Sequence, residues 1–156
     1  MGIEIERKFL LKNEDWRLEV KSNTTIKQGY LNSNNKRTVR VRVRDDKGYL
    51  TIKGISVNAS RQEFEYEIPI SDAESLLLIC EKPIIEKIRF IVLIDDKTWE
   101  IDEFDGVNKG LILAEIELES EEAIFRIPSW VGKEITLDSR YFNSNLINHP
   151  FSMFNK

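Results

Sequence analysis

Apolar and polar residues alternate with a period of two over most of this chain, the pattern of strands whose successive side chains point to opposite faces. Residues 3–11 read Ile-Glu-Ile-Glu-Arg-Lys-Phe-Leu-Leu, so Glu4, Glu6 and Lys8 share one face while Ile3, Ile5 and Phe9 share the other. The most regular stretch is 38–44, where Val39, Val41 and Val43 oppose Arg40, Arg42 and Arg44. Residues 60–70 separate Arg61, Glu63, Glu65 and Glu67 from Phe64, Tyr66, Ile68 and Ile70. With 24–31, 49–53, 84–94, 98–104 and 111–119, the pattern predicts eight strands. They are joined by turn-forming runs such as Asp45-Asp46-Lys47-Gly48 and Asp95-Asp96-Lys97.

Helical signals are fewer. Residues 13–17 form a turn or short helix, and Ser71-Asp72-Ala73-Glu74 reads as a capping box ahead of Leu76, Leu77, Ile79 and Cys80, with Pro83 as the exit. A short helix is expected from Ser120 to the break at Pro128, residues 133–136 read as a connection, and Asp138 caps a last helix over 139–148. The prediction is an α+β protein of mostly antiparallel β structure, with residues 1–156 as one domain.

Charge changes this picture, because 32% of the residues are Asp, Glu, Lys or Arg and they need a location. The polar side of an antiparallel sheet ordinarily faces water. Here the signs are sorted by strand: Arg40, Arg42, Arg44, Lys53, Lys87 and Arg89 lie on the middle strands, and the carboxylates lie on the others. A solubility surface interleaves its signs. Like charges two residues apart call for opposite charge between them, which a divalent cation and a polyanion would supply. Eight strands can close into a barrel with room for a small ligand, so the expected fold is a closed tunnel with a charged interior. Its oily outer faces would be covered partly by the 71–80 helix and partly by the C-terminal segment with Phe142, Leu146, Ile147 and Phe151.

A net charge of −4 and a pI near 5.2 argue against a general nucleic-acid binder. The single cysteine, Cys80, excludes a disulfide within the chain, and no apolar run approaches the roughly 20 residues of a membrane span. With no signal-peptide pattern, a cytoplasmic protein is expected. His149, the only histidine, reads as a surface residue beside Pro150, and neither a Walker loop nor a dinucleotide fingerprint occurs.

Glu4-Ile5-Glu6-Arg7-Lys8 resembles the Glu-x-Glu-x-Lys signature of the CYTH superfamily, the triphosphate tunnel metalloenzymes. The resemblance continues in order through Gln28-Gly29-Tyr30, Arg40-Val41-Arg42, Leu50-Thr51-Ile52-Lys53-Gly54, Ser60-Arg61-Gln62-Glu63-Phe64-Glu65, Glu86-Lys87-Ile88-Arg89, Trp99-Glu100-Ile101-Asp102 and Ala114-Glu115-Ile116-Glu117. It implies a closed eight-stranded tunnel and metal-dependent hydrolysis of triphosphates, above all inorganic tripolyphosphate, with Mg2+ or Mn2+. By position, Lys8, Arg40, Arg42, Lys53, Lys87 and Arg89 would hold the triphosphate. Glu4, Glu6, Glu63, Glu65, Asp102, Glu115 and Glu117 would hold metal ions or orient water. Glu4, Glu6, Lys8, Arg42, Lys53, Glu115 and Glu117 would form the catalytic set, with Arg44, Glu67, Glu100 and Glu119 at the rim. In Asp138-Ser139-Arg140, Ser139 stands where the family often has lysine, leaving Arg140 to reach the tunnel mouth. The partner implied is a small-molecule triphosphate, with no nucleic acid or membrane; a homodimer is left open. So are a class IV adenylate cyclase, a thiamine triphosphatase and a non-catalytic polyphosphate- or nucleotide-binding module.

Overall fold

The computed structural model describes residues 2–154. Nine strands form one sheet: β1 (Gly2–Leu11), β2 (Val20–Asn32), β3 (Arg37–Arg44), β4 (Lys47–Gly54), β5 (Ser60–Ile68), β6 (Ile85–Ile94), β7 (Lys97–Phe104), β8 (Ile112–Glu117) and β9 (Val131–Glu134). The spatial order is β5-β4-β3-β2-β6-β7-β8-β1-β9, and β5 also pairs with β1, so the first eight strands close on themselves. Closure is antiparallel with Gly2 opposite Glu63 and Ile5 opposite Ser60, and it removes the free edges an open sheet would present. The hairpin tips fall at the Asp-Asp runs, where Asp45 (φ 54°) and Asp95 (φ 57°) take the left-handed backbone that Asp tolerates.

The registers decide which way each side chain points. Directly opposed residues share a face, so Arg42 opposite Gln28, Lys8 opposite Glu115, Arg89 opposite Asp102 and Lys53 opposite Glu63 put the ionic faces on one side of the closed sheet. The outer face carries two apolar layers. Trp16, Trp99, Trp130, Phe9, Ile101 and Ile116 form one, with the Trp99 and Trp130 rings edge to face at 5.5 Å. Helix α1 (Ile70–Ile79) forms the other by placing Ala73 and Leu77 against Val41.

The third cluster lies inside. Tyr30, Phe104 and Leu113 stand opposite Arg40, Lys87 and Asp102, on the inward face, and they pack with Tyr141, Leu146, Ile147 and Phe154. The C-terminal segment, expected to cover the outer wall, therefore fills one end of the barrel.

Several elements depart from the sequence expectations. The connection expected at 133–136 overlaps the end of β9, which pairs with the stretch of β1 beyond its contact with β5. No helix forms over 120–127; one turn bond, Ala123 N–H to Ser120 O, is all that closes, and Ala123 and Phe125 are drawn onto the Trp99 cluster instead. The helix expected over 139–148 is broken at Phe142, whose extended backbone (ψ 130°) separates a short turn at Ser139–Tyr141 from α2 (Asn143–Leu146). Helix α1 begins after Pro69 with no side-chain cap, so Ser71 lies within it and β5 ends at Ile68.

Candidate active site: a charged tunnel

All eight barrel strands line a single cavity of about 240 Å³. Strand β1 contributes Glu4, Glu6 and Lys8; β2 Tyr30; β3 Thr38, Arg40, Arg42 and Arg44; and β4 Lys53. Strand β5 contributes Arg61, Glu63 and Glu65; β6 Lys87 and Arg89; β7 Glu100; and β8 Glu115 and Glu117. Phe142, Asn143 and Ser144 bound it on the side of the C-terminal segment.

The cations fall into two groups. Lys87 and Arg89 are anchored: Asp102 accepts from Arg89 Nε and Nη2 at 2.7 and 2.9 Å, and its second oxygen lies 2.7 Å from Lys87 Nζ. Arg89 also reaches Glu100 at 3.3 Å and Glu115 at 3.5 Å. Arg42 instead donates from Nε and Nη2 to the neutral Gln28 Oε1, at 2.8 and 2.6 Å, which fixes the guanidinium plane and leaves its charge for an anion. Lys8 Nζ lies 3.4 Å from the Tyr141 carbonyl oxygen and 5.8 Å from the Phe142 ring centroid. Arg40 donates to Thr51 Oγ1 and Glu65 at 3.1 and 3.3 Å.

Crowding of like charge perturbs these groups. Burial, with Arg40 and Arg89 nearby, lowers Arg42 to about 9, and burial lowers Lys87 to about 7 against the pull of Asp102. Burial alone would raise Asp102, but Arg89 and Lys87 outweigh it and hold the carboxyl far below the usual range. Glu115 is likewise buried, yet Lys8 and Arg89 bring it to about 2. The opposite holds beside β1, where burial and the carboxylates of Glu115 and Glu4 push Glu6 well above the usual range. Glu63 and Glu117 are also raised, first by burial and then by neighbouring glutamates.

That acidic side fits a hard divalent cation. Glu6 stands directly opposite Glu117, and like charges so placed repel unless a cation lies between. Lys53 Nζ currently serves Glu4 at 2.8 Å and Glu63 at 3.5 Å. Among the described residues no three acidic, His or Cys side chains form a ready cage. Mg2+ does not need one, since it is commonly held by one or two carboxylates together with substrate phosphates and water.

The structure brings nearly all the residues expected from sequence to this cavity, with instructive exceptions. Asp102 is 1% exposed and does not line it; both its oxygens are bound to Arg89 and Lys87, which makes it an anchor for these cations, with no oxygen left free in this arrangement for the metal role expected of it. Arg140 is clamped to Asp138 at 2.7 Å with about half its side chain exposed, and it does not line the cavity. Arg44 and Glu100, expected at the rim, do line it, whereas Glu67 and Glu119 do not. Gln28, Asn143 and Arg61 were given no role from sequence. Asn143 Oδ1 accepts from both Lys87 at 2.9 Å and Gln28 at 3.0 Å. Gln28 carried a signal in the Gln28-Gly29-Tyr30 resemblance, and Arg61 in its place on the Glu63–Glu65 face.

A closed antiparallel barrel with an ionic inner wall and an apolar outer wall defines a tunnel protein built to hold a polyanion and a cation together. The CYTH domain family matches residues 2–147, and the chain belongs to that family. It is 48% identical over 155 residues to an inorganic triphosphatase of Acetivibrio thermocellus, covering 99% of each chain. It is 36% identical over 148 residues to an inorganic triphosphatase of Nitrosomonas europaea, covering 92% of this chain and 95% of that one. The fold superposes on the crystal structure of an inorganic triphosphatase with a TM-score of 0.67 and 32% identity, covering 94% of this chain and 95% of the other.

Proposed function

We propose that this protein hydrolyses inorganic tripolyphosphate to orthophosphate and diphosphate with the help of Mg2+ or Mn2+. The observation that carries the reading is the convergence of Lys8, Arg40, Arg42, Lys53, Lys87 and Arg89 with Glu4, Glu6, Glu63, Glu115 and Glu117 on one cavity. The names of the two relatives support the choice of substrate.

Each part of the wall has a physical task in this reaction. Arg42, oriented by Gln28, and Arg89, oriented by Asp102, present fixed positive charge to phosphate oxygens, and Lys87, held by the same Asp102, adds an ammonium whose protonation an anion beside it favours. Phosphoryl transfer is accelerated mainly by positioning and by stabilising charge that develops on the phosphoryl and leaving oxygens, and these side chains need no reorganisation to do so. Glu4, Glu6, Glu63 and Glu117 would hold the divalent ion. The ion would supply positive charge against the phosphates and Lewis acidity toward an attacking water. Glu65, which accepts from Arg40 at 3.3 Å, and Glu115, 3.5 Å from Arg89, complete the acidic set expected to hold metal or orient water. Water adds to a terminal phosphorus, the bridging P–O bond breaks, and diphosphate leaves with the bond electrons.

Arg42→Ala removes a charge that no other residue can place beside Gln28, and Lys53→Ala removes the partner of Glu4 and Glu63. Each should lower tripolyphosphate turnover by about 100-fold or more, in the range seen when one preorganised charge-stabilising donor is lost. Phosphate release under saturating Mg2+ measures this, and wild-type rates in both variants would contradict the assignment.

A further inference from the structure

Arg61 is a tunnel cation that no carboxylate among the described residues pairs with. It lines the cavity from β5, and its register partner on β1 is Glu4. No ion pair forms between them, because the Glu4 carboxylate is held by Lys53 at 2.8 Å. Among the described residues Arg61 makes one side-chain hydrogen bond, from Nη2 to Thr38 Oγ1 at 3.5 Å, the outer limit for such a contact. Its Nε–H is buried with no acceptor among the described residues, as is that of Arg40, which differs in having a carboxylate partner. Arg40, Lys53, Lys87 and Arg89, by contrast, are all paired with carboxylates. A buried donor on a permanently charged group is costly to leave unmade, so Arg61 is arranged for an acceptor that comes with a ligand.

Position identifies the acceptor. Thr38, Arg40 and Arg42 lie two residues apart on one face of β3, a step of roughly 7 Å each. Arg61 and Thr38 therefore extend the cationic row one step beyond Arg40. Ser56 and Asn58, in the loop between β4 and β5 that precedes Arg61, also line the cavity. We propose that Arg61, with Thr38, forms an outer phosphate subsite that holds the end of a chain whose inner phosphates lie against Arg40 and Arg42, making Arg61 a determinant of chain-length specificity. A diphosphate on Arg40 and Arg42 is too short to engage it. This rests on the triphosphatase reading for its substrate class, but binding tests it independently of turnover.

The test compares wild type with Arg61→Gln, Arg61→Lys and Thr38→Val, using calorimetric binding of tripolyphosphate and diphosphate and steady-state hydrolysis of tripolyphosphate, all with Mg2+. Loss of one charge-assisted contact weakens binding by about tenfold or more. Arg61→Gln should raise the tripolyphosphate Kd and KM by about that factor, change diphosphate binding by less than about twofold, and leave kcat nearly unchanged. Arg61→Lys should recover part of the loss, and Thr38→Val should show a smaller loss with the same preference. Equal weakening of both anions, unchanged tripolyphosphate binding, or a fall in kcat at constant KM would overturn the subsite. Melting curves check folding, and if Arg61→Gln does not fold, Arg61→Lys and Thr38→Val decide on the same criteria. Wild type that binds tripolyphosphate through Arg61 without cleaving it would overturn the proposed reaction and keep the subsite. Cleavage indifferent to Arg61 would do the reverse.

Discussion

Asp102 illustrates how one buried carboxylate organises a cationic wall. Its side chain is almost inaccessible, and its two oxygens fix both Lys87 and Arg89. Replacing it by Asn keeps the shape and removes the charge, leaving two buried cations with a neutral partner. Removing one side of a buried ion pair ordinarily costs about 3–5 kcal/mol, because the remaining charge is desolvated without compensation. Urea unfolding of Asp102→Asn should show a loss of that order with an unchanged m-value. A loss below about 1 kcal/mol would mean that Asp102 is not the anchor. Lys87 shows the same logic in its ionisation, for burial has brought it to about 7, where a phosphate oxygen taking up space beside it would restore the charge.

At the scale of elements, the link between packing and site is the C-terminal segment. Leu146 is fully buried among Tyr30, Phe104 and Leu113, and three residues earlier Asn143 receives the hydrogen bonds of Lys87 and Gln28. Leu146→Ala should cost about 2–5 kcal/mol through the cavity it leaves, and it should raise the KM for tripolyphosphate as Asn143 loses its support. Thermal melts and kinetics measure both, and a stable variant with a wild-type KM would separate the segment from the site. The strands were legible in sequence because period-two alternation is a local signal, clear from Val39 to Arg44. Sorted signs also indicated that ionic faces converge. What could not be read was set by contacts distant in sequence. Strand β9 is four residues long and exists because β1 offers an edge. Phe142 breaks its helix, and the next residue, Asn143, meets Lys87 across the barrel. The different fates of Asp102 and Glu117, both acidic residues on inward faces, depend on which cations the neighbouring strands place against them.

For the molecule as a whole, the inversion of the usual barrel is the central feature. Apolar outer walls are covered by α1 and by the tryptophan layer, the C-terminal segment fills one end of the interior with apolar side chains, and the remaining inner wall is charged and faces the cavity. The cations without a carboxylate partner, among them Arg42 and Arg61, and the mutually repelling glutamates around Glu6 are both relieved by a polyanion with a divalent ion. The most direct measurement is incubation of the purified protein with tripolyphosphate and Mg2+ or Mn2+, followed by chromatographic identification of products, with and without EDTA. The expected products are orthophosphate and diphosphate in equal amounts, formed only when the metal is present. Undiminished turnover in EDTA, or tripolyphosphate left intact under every metal condition, would contradict it.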